Sequence, residues 1–302
     1  ARQVGTPQGT SDRRHDRGSM AMEGDIRDTP AEEYWSDFEH KWTALLSYRY
    51  LGKVSSVLDN APEGTTMPLR HDMRNAVGGI MAAPLCIASP ESGGMADDLF
   101  VPNPIIASMQ ILDDARDVAR VAVLAETIHL GRTMGFSRSR VVDDADHDRL
   151  IALSTGMGVS LGATPPGFEK VDNPPIDVVD SPSMPPLHQV FGAKKRDDGF
   201  WILPELELKF ASPDAALHLG PIHIVLETAA NELAAEQAGT DQLQIESWQV
   251  MFVARGKVGP FRVTGEAYEG AQGRVGVRLS LHDEGNEDRV TSTGSGVYRR
   301  LG

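Results

Sequence analysis

Apolar positions change period several times along the chain. Trp35, Phe38, Trp42, Leu45 and Leu46 recur at helical spacing, which predicts one buried helix face. Thr29-Pro30 ahead of Glu32 and Glu33 supplies an N-cap, a proline at the first helical position and acid in the first turn. Gly52 closes the segment. Residues 53–71 read as two short strands around Asn60-Ala-Pro-Glu-Gly64. Val77-Gly-Gly-Ile-Met-Ala-Ala-Pro-Leu-Cys86 is small and apolar without alternation, which predicts a wholly buried helix begun through two glycines and bent or shortened by Pro84. From 104 to 161 the pattern turns to strands, at Val118–Ile128, Gly135–Val142 and Leu150–Leu161. Seven prolines between 162 and 186 mark an extended, stiff linker. Beyond it come a short helical turn ending at Gly192, strands through 200–211, a helix from about Gly220 to Ala238, and four strands near 242–255, 258–270, 272–284 and 288–300. The plan is α+β. The long helix is apolar on most sides, so a sheet must wrap it.

The second half of this pattern repeats the first. Ala107-Ser-Met-Gln-Ile-Leu-Asp-Asp-Ala-Arg116 matches Glu246-Ser-Trp-Gln-Val-Met-Phe-Val-Ala-Arg255. Thr155-Gly-Met-Gly-Val159 matches Thr293-Gly-Ser-Gly-Val297, and Asp148-Arg149-Leu150 matches Asp288-Arg289-Val290. The offsets are 139, 138 and 140. A chain of 302 residues has room for two domains, each able to bury its own core. The expected division is a disordered tail over 1–28, one domain over 29–161, the linker over 162–186, and a second domain over 187–302.

Charge and composition narrow the function. A formal charge of −14, with no basic run outside the N-terminal tail, argues against a nucleic-acid surface. No stretch is apolar for the length of a membrane span. A single cysteine excludes an internal disulfide and fits a reducing cytoplasm. The first 28 residues lack the apolar core of a signal peptide. The expectation is a cytoplasmic protein without membrane or nucleic-acid partners.

At the start of the second helix stands His218-Leu-Gly-Pro-Ile-His-Ile-Val-Leu-Glu227, followed by Thr228-Ala229. Its counterpart in the first half is Val77-Gly78-Gly79, with Cys86 nine residues after Val77. With the strand meander and the repeat, these residues resemble the hotdog-fold acyl-CoA thioesterases, in particular the phenylacetyl-CoA and 4-hydroxybenzoyl-CoA thioesterase-like branch. That signature is His-Gly-Gly with an Asp or Glu nine residues after the His. The resemblance covers about 45–161 and 186–300. It implies a double hotdog, with two antiparallel sheets each wrapped round a long central helix, and an active site between the helices. One domain supplies the carboxylate. The other supplies a backbone N–H at its helix start, suited to a developing oxyanion.

On that pattern the two copies have complementary losses. The first keeps Gly78-Gly79 but has Cys86 in place of the carboxylate. The second keeps Glu227 but has Leu219 in place of the first glycine. The resemblance therefore implies one working site, with Glu227 as base or nucleophile and the N–H of Gly78 or Gly79 polarising the carbonyl, and one dead site where Cys86 faces Leu219. It also implies supporting roles for Asn231, one turn after the carboxylate, and for His71, six residues before the first-copy motif.

Each residue has a plainer reading beside this one. Glu227 on a solvated helix face is disfavoured by Ile224, Val225, Leu226, Ala229 and Ala230 around it. Gly78-Gly79 could be only a tight helix start, and Asn231 and His71 only polar packing. His223 lies four residues before Glu227 on one helix face and could tune it. With His218 it makes no common metal spacing, so no metal is expected. Cys86 reads as an inert buried thiol. Gly158-Val-Ser160-Leu-Gly162 fits the Gly-x-Ser-x-Gly string, but at a strand end before a linker rather than at a strand-to-helix elbow.

The resulting expectation is an acyl-CoA thioesterase, with CoA entering only as part of the substrate, no cofactor, and assembly into a homo-oligomer. A non-catalytic acyl-CoA-binding or scaffold protein is the alternative. A hotdog enoyl-CoA hydratase ranks lower, because only the fragment Pro102-Asn-Pro104 of its usual string is present.

Overall fold

The computed structural model describes residues 24–54, 65–90, 100–167 and 174–301. The helices are α1 (Tyr34–Ala44), α2 (Leu46–Leu51), α3 (Ala82–Ala88), α4 (Leu187–Val190) and α5 (Leu219–Ala238). The first half contributes strands β1 (Thr65–Pro68), β2 (Phe100–Ile111), β3 (Arg120–Leu130), β4 (Met134–Asp143) and β5 (Asp146–Ala163). The second contributes β6 (Lys194–Lys195), β7 (Trp201–Leu203), β8 (Ala211–Ser212), β9 (Ala216–Leu217), β10 (Leu243–Phe252), β11 (Phe261–Glu269), β12 (Arg274–Asp283) and β13 (Arg289–Arg300).

Eleven of these strands form one antiparallel sheet in the order β1-β3-β4-β5-β2-β10-β13-β12-β11-β7-β6. Two separate sheets were expected. Instead β2 and β10 pair directly, Ser247 opposite Gln110 and Met251 opposite Ile106, and the ladder runs unbroken across both halves. Continuity satisfies backbone groups that two free edges would leave exposed. About that junction the strand order is symmetric: β2, β5, β4, β3 on one side and β10, β13, β12, β11 on the other.

The helices are less symmetric. α5 runs 20 residues, is capped by His218 and ends at Gly239 in the left-handed region. It packs on β11, β12 and β13. Its first-half counterpart α3 has 7 residues and starts at Ala82, so it is not a long central helix. Pro84 falls in the first turn of α3, where its missing N–H removes no intrahelical bond, so it opens the helix rather than bending it. α3 and α5 touch, and the buried apolar side chains of both halves form one core.

The single N-terminal helix is broken at Leu45 into α1 and α2. Of the two strands expected in 53–71, β1 is described, and 55–64 lie outside the described residues. Of the expected disordered tail, residues 1–23 lie outside the described residues. Residues 26–28 form a 3-10 turn whose Ile26 is fully buried and donates its N–H to Pro213 O at 3.0 Å. The described part of the linker packs on the helices. Trp35 Nε1 donates to Pro166 O, Arg49 Nε donates to Pro174 O, and the Ile176 N–H donates to Arg49 O.

Candidate active site

The sequence places Glu227 in the third turn of an apolar helix, and the fold leaves its side chain 1 % exposed. A carboxylate so enclosed requires compensating donors. They come from the other half of the chain. Ala82 N–H donates to Oε1 at 2.7 Å and Ala83 N–H to Oε2 at 2.5 Å. These are the first two N–H groups of α3, orphaned by helix geometry, and Pro84 next to them has none. Burial outweighs these two bonds in setting the acidity and pushes the carboxyl up to about 7.

The N–H groups of Gly78 and Gly79 donate elsewhere than to Glu227. The N–H of Gly79 donates to Asn75 Oδ1 at 2.8 Å, and that of Gly78 to Asn75 O at 3.0 Å. The neighbouring N–H groups are committed as well: Val77 to Asn75 Oδ1, Ile80 to Asp114 O and Met81 to Met73 O. Gly78 has φ +79°, the left-handed conformation that favours glycine. Gly79 is needed for space. A Cβ there would overlap the amide oxygen of Gln244 from β10, which accepts from Asn75 Nδ2 at 3.0 Å, while Gln244 Nε2 approaches Ile80 O. Gly220, at the corresponding start of α5, likewise makes room for Ser47 of α2.

Gly79→Ala therefore acts through Gln244. The buried amide must leave its partners, a cost of about 1–3 kcal/mol for unmade buried hydrogen bonds. The double variant Gly79→Ala/Gln244→Ala is expected to be less destabilised than the sum of the single variants, because the second change removes the overlapping atoms. Chemical denaturation of the four proteins measures this, and strict additivity would remove the steric explanation.

The other candidates are distributed around this centre. Thr228 and Asn231 of α5 line a cleft of about 310 Å³ together with Met81, the cap of α3. Glu227 is not among the lining residues, but its chain neighbour Thr228 is, as is Met81, the residue before Ala82. The linker contributes Pro182, Met184 and Pro186 to the lining. His71 lines the cleft as well; its Nδ1 lies 3.0 Å from the Asp180 carboxylate and its backbone N–H donates to the same group at 2.9 Å, which ties it to the linker. Cys86 is buried on α3, and Leu219 starts α5. His218 caps α5: Gly220 N–H and the Ser47 hydroxyl both address its Nδ1. His223 Nδ1 accepts from Trp248 Nε1 at 3.2 Å. Burial pushes both imidazoles down to about 3, so both are neutral. Ser160 sits near the end of β5, with its hydroxyl on Gly162 O, and no helix follows it directly.

Ala82, Ala83, Asn75, Gln244 and the linker residues were not singled out from the sequence. The alanines act through backbone N–H groups, which leave no side-chain signature. Pro84 was the available signal, because proline belongs in a first helical turn and so dates the helix start to just before it.

No protein-family model matches the chain, and no curated protein matches it. Solved structures do. A chain named as an oleoyl thioesterase from Lactobacillus plantarum aligns with TM-score 0.54 at 12 % identity, over 82 % of this chain and 100 % of its own. The tesB protein of Mycobacterium avium subs paratuberculosis aligns with TM-score 0.53 at 12 % identity, over 81 % of this chain and 95 % of its own. A chain named as a thioesterase from Novosphingobium aromaticivorans aligns with TM-score 0.52 at 13 % identity, over 84 % and 100 %. At such identities the likeness is one of fold: the chain has the architecture of proteins named as thioesterases.

Proposed function

We propose that this protein is a double-hotdog hydrolase that splits an acyl-CoA thioester into a carboxylic acid and free CoA, at one composite site shared by its two halves. The observation that supports this best is the enclosed Glu227 carboxylate held by Ala82 and Ala83 across the domain boundary, with the flanking residues Thr228 and Met81 lining a cleft. A carboxyl with its proton equilibrium near 7 is matched to general-base work at neutral pH. Glu227 takes a proton from water as that water attacks the thioester carbon. The tetrahedral intermediate collapses with loss of the C–S bond, and the CoA thiolate recovers the proton. Direct attack by Glu227, through an anhydride, uses the same geometry. The counterpart position holds Cys86, a thiol rather than a carboxylate, so the second pseudo-symmetric site lacks a base.

One observation favours a second reading, acyl-CoA binding without turnover. Both carboxylate oxygens of Glu227 already accept N–H groups, and Glu227 does not itself line the cleft. A thiol-release assay on acetyl-, phenylacetyl- and palmitoyl-CoA separates the two, and the phenylacetyl arm tests the aromatic-acyl branch suggested by the sequence. Turnover that depends on Glu227 supports hydrolysis. Saturable binding of one of these CoA esters with no thiol released supports the second reading. Among the described residues no helix is long and apolar enough to cross a membrane.

A further inference from the structure

Hydrolysis at Glu227, on which this inference rests, requires a donor for the thioester oxygen as it becomes an oxyanion. The backbone does not offer one at α3. Every N–H from Val77 to Ala83 is committed, the last two to Glu227 itself. The donor must then be a side chain that faces the cleft, and most polar side chains there are engaged. Arg74 spends its terminal nitrogens on the backbone carbonyls of Gly78, Ala115, Leu69 and Val118. Asn75 holds the Val77 and Gly79 N–H groups and the Gln244 amide. His71 is bound to Asp180, Asp72 to Arg70, and the Thr228 hydroxyl donates to Ile224 O at 2.7 Å. Of the polar side chains that line the cleft, His188 and Asn231 are left without a hydrogen-bond partner among the described residues.

His188 is the better fixed of the two. Its ring meets Trp201 edge to face, 4.9 Å between centroids, and Trp201 Nε1 donates at 3.0 Å to Glu232, the residue after Asn231 on α5. The imidazole is half-buried, and burial lowers its pKa below the ordinary histidine value. At neutral pH it is therefore uncharged and carries one N–H to donate. The repeat explains why this position is open. α2 and α4 run into equivalent left-handed glycines, Gly52 at φ +72° and Gly192 at φ +73°. Their spacing is that of the repeat, which aligns Ser47 with Leu187 and Tyr48 with His188. At the start of α5, Ser47 and Tyr48 are buried. Ser47 fills the space beside Gly220, and the Tyr48 ring packs on the cap His218, 5.3 Å between centroids. At the start of α3, Leu187 and His188 line the cleft instead, together with the cap Met81. One helix start is covered by its short helix. The other, whose Ala82 and Ala83 hold Glu227, borders a cleft with an imidazole in its lining.

We propose that the His188 imidazole is the oxyanion donor of this site, giving its N–H to the carbonyl oxygen of a thioester bound in the cleft while Glu227 activates water. The imidazole keeps its proton throughout. The proton that moves travels from water to Glu227 and then to the departing thiolate.

His188→Phe tests this with the acetyl-, phenylacetyl- and palmitoyl-CoA assay, because it keeps a ring against Trp201 and removes the donor. The expected result is a fall in kcat of about 10²–10³-fold, the usual effect of removing one oxyanion donor, with KM little changed. His188→Gln keeps an N–H donor without the ring and should recover about tenfold of that loss. A ketone analogue of the ester turned over fastest, with a methylene group in place of the sulfur, reports the hydrogen bond directly. Its carbonyl stretching band in the bound state should move to higher frequency in His188→Phe. A Phe variant within about twofold of the natural kcat, a Gln variant no better than Phe, or an unmoved carbonyl band overturns the inference while leaving Glu227 as base. Full turnover by Glu227→Gln, or no turnover of any of the three esters by the natural protein, overturns the underlying hydrolase reading instead.

Discussion

Glu227→Gln is expected to lower kcat by about a thousandfold with KM little changed, since a positioned general base contributes roughly 10²–10⁴-fold. Glutamine keeps the shape and can accept one of the two N–H groups of Ala82 and Ala83, but it cannot take a proton from water. The variant should therefore fold and still bind substrate. Glu227→Asp moves the carboxylate away from α3 and should lose much of the same rate, because both oxygens of Glu227 are already in contact with backbone donors at 2.7 and 2.5 Å. Steady-state kinetics on an ester turned over by the natural protein measures all three. A Gln variant within tenfold of the natural rate would leave Glu227 as a cross-domain helix cap and nothing more.

The acidity of Glu227 carries the second large effect. Burial raises its carboxyl from an ordinary 4.5 to about 7. A base works ionised, so kcat/KM should rise about tenfold per pH unit below 7 and level off above it. The same displacement bears on folding. Because the folded-state value is raised, the fold favours the protonated carboxyl. The associated stability is fully present below pH 4.5 and is lost as pH rises through 7. The gap between 4.5 and 7 corresponds to about 3 kcal/mol at 1.36 kcal/mol per pH unit. Glutamine does not titrate. The stability of the natural protein relative to Glu227→Gln should thus drop by about 3 kcal/mol between pH 4.5 and pH 8. Denaturant melts of both proteins across this range measure it. A difference that does not vary with pH would mean that Glu227 is not held in an apolar interior.

Much of this arrangement was legible in the residues. The strand meanders and α5 carry strong periodicity, and the boundaries of β10–β13 fall within a few residues of the expected ones. Glu227 stood out because a carboxylate among Ile224, Val225 and Leu226 is costly unless it is used. Its partners were harder to read. The motif drew attention to Gly78 and Gly79, whose side-chain absence is visible in a sequence. The groups that hold Glu227 are the N–H groups of two alanines, and any residue but proline carries one. Sheet continuity was hidden for a related reason. Pairing of β2 with β10 is made by backbone atoms across 140 or so residues, and local alternation says which face is buried but not which strand lies alongside.

The linker between the halves has a consequence for how the protein can be rebuilt. A segment that only tethers two domains acts through effective concentration, and any flexible chain of equal reach would serve. Here Pro182, Met184 and Pro186 wall the cleft, and Asp180 is fastened to His71. Exchanging residues 174–186 for a glycine–serine tether of the same length should preserve assembly of the halves while erasing discrimination among acyl groups. The connection that joins the two copies is part of the cleft lining, so the halves expressed as separate chains are expected to regain their sheet and still lack a complete cleft.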